Sequence, residues 1–96
     1  MNLKNIHNTD KNVSAVPVFE TENCTTIAIR IEQGEQLKEH ITKVPALLVC
    51  INGKAIFENE QGVKEHLSVG DYIEIVPMVK HWVNAINESN FLLIKS

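Results

Sequence analysis

An all-β domain, closed into a compact barrel or double-sheet jelly roll, is the fold class this sequence predicts, on three observations. No stretch sustains a 3.6-residue apolar period over three helical turns. Short runs rich in Val, Ile, Thr and Phe recur instead, with turn residues about every eight to twelve positions. With no helix to cover them, such strands must close on themselves or leave hydrogen-bonding edges open to aggregation.

Residues 1–12 form a polar, Asn-rich lead-in, and residues 13–96 form a single domain. The first strand, over residues 13–19, contains Pro17, which confines it to a sheet edge or gives it a break. Residues 24–31 alternate, with Thr25, Ile27, Ile29 and Ile31 on one face and Thr26, Ala28 and Arg30 on the other. After a turn around Gly34, residues 37–42 give a short polar strand, which Pro45 separates from the next. Residues 46–51 are apolar on both faces and predict a strand covered on both sides. Asn52 and Gly53 both tolerate positive φ and predict a tight two-residue hairpin into residues 54–58. Gly62 turns the chain into residues 63–67, and Gly70 with Asp71 turns it into residues 72–76. Beyond Pro77, residues 81–86 and 91–94 flank a polar turn.

At 96 residues the chain is one domain's worth, enough for one core and not two. The net charge is −3 and the nine basic residues are scattered singly. An electrostatic footprint for nucleic acid is therefore missing, and so is a polybasic membrane-binding segment. The N-terminus has no apolar core of the kind a secretory signal needs, and the apolar run at 46–51 is too short to span a bilayer. Cys24 and Cys50 have no metal-type spacing and read as reduced packing residues, so the expected location is cytoplasmic.

His40 and Thr42 lie two apart, which on a strand gives them one face and a Cα separation of about 6.5–7 Å. His81 opens a later strand after residues 77–80, where a barrel mouth would lie. From Gly34 to Gly53 the sequence resembles the first motif of the cupin superfamily: Gly, five residues, His, one, His, three, Glu, six, Gly. Gly34, His40 and Gly53 match it; Thr42 stands at the second His and Ala46 at the Glu. The second motif runs Gly, five residues, Pro, one, Gly, two, His, three, Asn. Gly70 and His81 match, while Val76, Met78 and Ala85 replace Pro, Gly and Asn. This resemblance implies a cupin-type double-stranded β-helix, with His40, Thr42 and His81 as ligand-binding residues.

Cupin metal sites resemble three His and one Glu converging inside the barrel. By that resemblance this chain keeps two metal ligands, His40 and His81, where catalytic sites generally need about three. The site is then incomplete, and the cofactor it admits is a weakly bound divalent transition metal: Fe, Mn, Ni, Zn or Cu. An inward Glu65 or Glu74 would complete a two-His-one-carboxylate set; alternation alone leaves the inner face of both strands open. His66 reads as exposed, Cys50 as an inward packing thiol, and Trp82 as pointing away from His81 toward a sheet interface or partner subunit.

Three functions follow. The first is a module binding a small polar metabolite inside the barrel, because Thr42 and Ala46 enlarge the cavity and lower its charge. The second is a cupin enzyme, either a metal-dependent dioxygenase or isomerase or a metal-free epimerase. In the metal-free case a His is the base and Tyr72 the only tyrosine available as acid. The third is a non-catalytic interaction protein. No catalytic residue is assigned. Strands apolar on both faces, at 46–51 and 91–94, also predict a homodimer.

Overall fold

A computed structural model describes all 96 residues as nine strands with no helix. The strands are β1 (Val13–Glu20), β2 (Thr25–Ile31), β3 (Gln36–His40), β4 (Ala46–Asn52), β5 (Ala55–Asn59), β6 (Lys64–Leu67), β7 (Tyr72–Ile75), β8 (His81–Ala85) and β9 (Ser89–Lys95). They form two antiparallel sheets, one in the order β1-β2-β9-β4-β7 and the other in the order β3-β8-β5-β6. No helix is long and apolar enough to cross a membrane.

Strand alternation decides what lies between the sheets. Ile29 and Ile31 of β2, Leu48 and Cys50 of β4, and Phe91 and Leu93 of β9 point inward from the first sheet. Ala55 and Phe57 of β5 and Val83 and Ala85 of β8 meet them from the second. Burying each of the large side chains contributes on the order of 1.5–3 kcal/mol. Pro17 does sit on an edge strand, and the β1–β2 register shifts between Pro17 and Phe19.

The expected hairpin at Asn52 and Gly53 does not form. β4 and β5 lie in different sheets, so this tight turn carries the chain across the barrel. Gly53 takes φ +89°, and a Cβ placed on it would lie 2.3 Å from the Glu88 carbonyl oxygen and 2.5 Å from Ser89 Oγ. The Lys54 carbonyl accepts the amides of Ile86 and Asn87 at 2.9 and 3.2 Å, locking the 86–88 connection against the crossing. Gly53 takes the positive φ expected of it, whereas Asn52, the last residue of β4, does not; the choice of sheet is a non-local matter that two residues cannot encode.

The polar lead-in is packed as well. Ser14, Arg30, Asn90 and Asn52 are successive cross-strand partners on the outer face of the five-stranded sheet. Arg30 donates to the Lys11 carbonyl at 3.3 Å and pairs with Glu88 at 2.6 Å, while the Glu32 amide donates to the Asn12 carbonyl. His7 Nδ1 lies 2.8 Å from Ser14 Oγ. Residues 7–12 thus cover the polar end of this face.

The crossing at Gly53 makes a sharp prediction. Gly53→Ala combines left-handed strain with a backbone clash and should cost about 3 kcal/mol in a urea titration. A loss below about 1 kcal/mol would show that the 52–54 crossing is not closed against residues 88 and 89.

Candidate functional site

The chain's histidine pair is set by an irregularity in β3. Leu37 pairs with Val83 and His40 with His81, so three residues of β3 span two of β8. Without that bulge, strict alternation would turn His40 outward; with it, Leu37 and His40 both face the interior. His81 also pairs with Asn59 of β5, giving an inner row His40, His81, Asn59 across three strands. The two imidazole centroids are 4.2 Å apart with planes at 61°, and the Phe57 ring stacks on His81 at 5.6 Å.

The two rings differ in their partners. His40 Nδ1 lies 2.9 Å from the Lys38 carbonyl, which can only accept; Nδ1 therefore carries the proton and the neutral ring keeps its lone pair on Nε2. His81 is 2 % exposed, and its buried Nδ1 has no hydrogen-bond partner. Burial, and then the neighbouring His40, push the His81 pKa below the ordinary imidazole value, against a smaller opposing pull from the Val79 backbone.

Thr42 lies beyond the strand expected to carry it, because β3 ends at His40. It forms no hydrogen bond to either imidazole. Its carbonyl accepts the Met78 amide at 2.8 Å, joining the 41–45 and 76–80 connections at the mouth, and its hydroxyl is buried without a partner. Met78 is held at φ +66°, the left-handed region, at the position where the resembling motif carries glycine. Ala46 sits in the inner row of β4, paired with Ile75 and Lys95.

Neither carboxylate completes a ligand set. Glu74 pairs with Leu47 on the outer face; Glu65 pairs with Phe57 on the inner register but is exposed, a row away from His81. No group of three or more His, Cys, Asp or Glu side chains is placed to hold a metal ion. The two imidazoles thus do not fit a complete transition-metal centre. Tyr72 is 66 % exposed on the outer face, so it is no acid partner for either histidine. Cys50 is buried as expected, its thiol donating to the Asn52 carbonyl at 3.6 Å while burial pushes its pKa up. His66 is exposed, and Trp82 faces away from His81, half-buried.

Neither imidazole lines any of four cavities on the surface of the molecule. Ala46 lines a cavity of about 520 Å³ with Ile75 and Pro77, and Thr42 lines one of about 560 Å³. Sequence reading missed Phe57 and Asn59, although the alternation Ala55, Phe57, Asn59 carries that signal.

One prediction tests the electrostatics. His81 and His7 both titrate below the ordinary value, His7 through burial and then Arg30. The folded state therefore binds fewer protons than the unfolded one once pH falls below about 6.5. Their contribution to stability is complete above that pH and is lost as pH falls toward the folded pKa values. The urea midpoint should drop between pH 7 and 5, the His81 ring resonances should titrate below pH 6.5, and His40→Gln should raise that midpoint. Titration of His81 at or above 6.5 would contradict the buried, unpaired placement.

Comparison with solved structures gives the same architecture. A cupin superfamily protein from Desulfitobacterium hafniense superposes with TM-score 0.85 at 15% identity, over 97% of this chain and 84% of that one. An RmlC-like cupin from Desulfovibrio desulfuricans gives 0.84 at 18%, over 97% and 90%. An RmlC-like cupin with a double-stranded β-helix fold from Methanocaldococcus jannaschii gives 0.78 at 21%, over 93% and 84%. No family model and no curated protein matches the sequence. Nine strands in two sheets, an inward pair of histidines at the mouth and these superpositions together establish that the chain has the cupin fold.

Proposed function

We propose that this protein binds a small polar molecule at the mouth of its barrel, with the imidazoles of His40 and His81 and the hydroxyl of Thr42 as the polar fittings. The observation that carries the reading is the buried, unpartnered Nδ1 of His81 beside His40. Native interiors pair their buried polar atoms, and an orphaned one costs about 1–3 kcal/mol. A ligand bearing hydroxyl or carbonyl groups would relieve that cost at His81 and at Thr42 together. The neutral state favoured for His81 suits such a hydrogen bond.

The donor set argues against a resident cation. Two imidazoles without a carboxylate would hold Fe, Mn, Ni, Zn or Cu weakly and exchangeably. The metal-free enzyme reading keeps a base, His40 Nε2, and lacks the acid, since Tyr72 is on the outside.

A thermal-shift series separates these readings. Protein purified without chelator should contain metal far below one equivalent, and a panel of small hydroxy acids and sugars should include members that raise the midpoint by several degrees. His40→Ala should weaken that binding about tenfold. Near-stoichiometric metal, with a midpoint raised by one ion and lost in His40→Ala, would replace this reading with the metal-dependent enzyme.

Pairing of two copies is part of the same proposal. Val16, Ala28, Leu92, Val49 and Tyr72 form an outer row across all five strands of the larger sheet, and Phe19 lies exposed in the next. A face this apolar favours association with a second sheet. Sedimentation at micromolar concentration should give twice the chain mass, and Val49→Lys should give the monomer; a wild-type monomer would remove the claim.

A further inference from the structure

Phe19 is 62 % exposed, and its register places it on the outer face of the larger sheet. Phe19, Thr26, Ile94, Leu47 and Glu74 are successive cross-strand partners, from β1 at one edge to β7 at the other. At the β4–β7 end of that row lies the cavity of about 520 Å³. Leu47, Glu74 and Ile94 line it, and Pro45 and Val76, just beyond the ends of β4 and β7, add to its apolar wall. The rest of the face is uneven in the same sense. The lead-in is bonded to Ser14 of β1, to Arg30 of β2 and to Glu32 just after it, all on the β1–β2 side. The face therefore carries its projections on the β1–β2 half and its hollow on the β4–β7 half.

We propose that two copies pack face to face about a two-fold axis running along β9, with Phe19 of each seated in the Leu47–Val76 cavity of the other. The proposal rests on the pairing of copies through this face and fixes its register. A two-fold lying between two sheets and parallel to the strands exchanges their edges while keeping position along the strand. β1 of one copy then lies over β7 of the other, and Phe19 over the Leu47 and Glu74 end of the same row. The lead-in of one copy comes over the β4 side of the other, clear of the second lead-in. An axis across the strands would set Phe19 over β1 of the second copy and leave both cavities empty. Five strands about 4.8 Å apart, up to seven residues long at about 3.3 Å each, give a face of roughly 550 Å². Two copies would bury on the order of 1,100 Å², only just above the roughly 1,000 Å² that a stable interface needs. At that size, the fit of an aromatic anchor into a pocket decides whether the pair holds. Glu74 is the one charged side chain in the two outer rows, at the sheet edge, where its carboxylate stays in water.

The test is sedimentation of the full chain carrying Phe19→Ala or Val76→Arg, alone and mixed. Phe19→Ala removes the anchor and Val76→Arg obstructs the cavity; both positions are exposed, so the fold should stand in each. Either homodimer loses both contacts and should dissociate about a hundredfold more readily, about tenfold for each anchor. An equimolar mixture keeps one anchor opposite one open cavity, and should pair about tenfold more tightly than either variant alone. In wild-type protein mixed from isotope-labelled and unlabelled chains, the Phe19 ring should show intermolecular NOEs to the Leu47 and Val76 methyls. Within one chain Phe19 and Leu47 are three strands apart, about 14 Å, too far for such a signal. Pairing unchanged by Phe19→Ala, a mixture no tighter than its components, or a dimer without those NOEs would each overturn the arrangement. If Val49→Lys still gives the monomer in that event, face-to-face pairing stands and only its register falls; a wild-type monomer removes both.

Discussion

A one-residue bulge in β3 governs the chemistry of this barrel. Strand alternation has a period of two, so Leu37 and His40, three apart, belong on opposite faces unless one residue is added between them. The bulge supplies it, and His40 arrives opposite His81 rather than in solvent. The pairing then explains the state of His81: a ring buried on one side by Phe57 and on the other by a second imidazole is poorly placed to hold a proton. Two protonated rings so close would repel, whereas a neutral pair packs edge to face. The Thr42 carbonyl bond to the Met78 amide holds the connections on either side, at the expense of a left-handed residue at 78.

The two ends of the barrel are held by different groups. At the far end, Gly53 passes within contact distance of Glu88 and Ser89, and the Arg30–Glu88 pair lies under the lead-in. Ser89 Oγ is within hydrogen-bonding distance of the carbonyls of Lys54 and Asn87. Two buried nitrogens there, Asn90 Nδ2 and His7 Nε2, have no partner, and at the mouth His81 Nδ1 and Thr42 Oγ1 are likewise buried without one. What distinguishes the mouth is that its orphaned nitrogen belongs to a ring packed against a second imidazole, that of His40.

How much of this was legible depended on whether the information was local. The inward alternation of His81, Val83 and Ala85, and that of Ala46, Leu48 and Cys50, followed from period two alone. Pro17 on an edge strand followed from the missing amide hydrogen. Asn52 and Gly53 misled because the dipeptide reports permitted φ values, while the partner of β5 is decided by strands distant in sequence. His40 was found by its place in a motif and not by its parity, since a bulge leaves no residue-level mark in that polar stretch. Thr42 was expected to share a strand face with His40, and the end of β3 at His40 removed the basis for that.

The donor set at the mouth bears directly on whether a cation fits there. A divalent cation needs about three donors with at least a partial negative charge directed at it. Here the inner mouth rows carry two imidazoles, an amide, an alanine, a threonine and an ammonium, and the nearest inner-register carboxylate, Glu65, is exposed beyond Phe57. No third charged donor stands beside the two imidazoles, so a cation entering beside them would meet neutral hydrogen-bonding groups. The buried nitrogen of His81 and the hydroxyl of Thr42 lack partners within the chain, and hydrogen bonding rather than charge is what this end of the barrel offers.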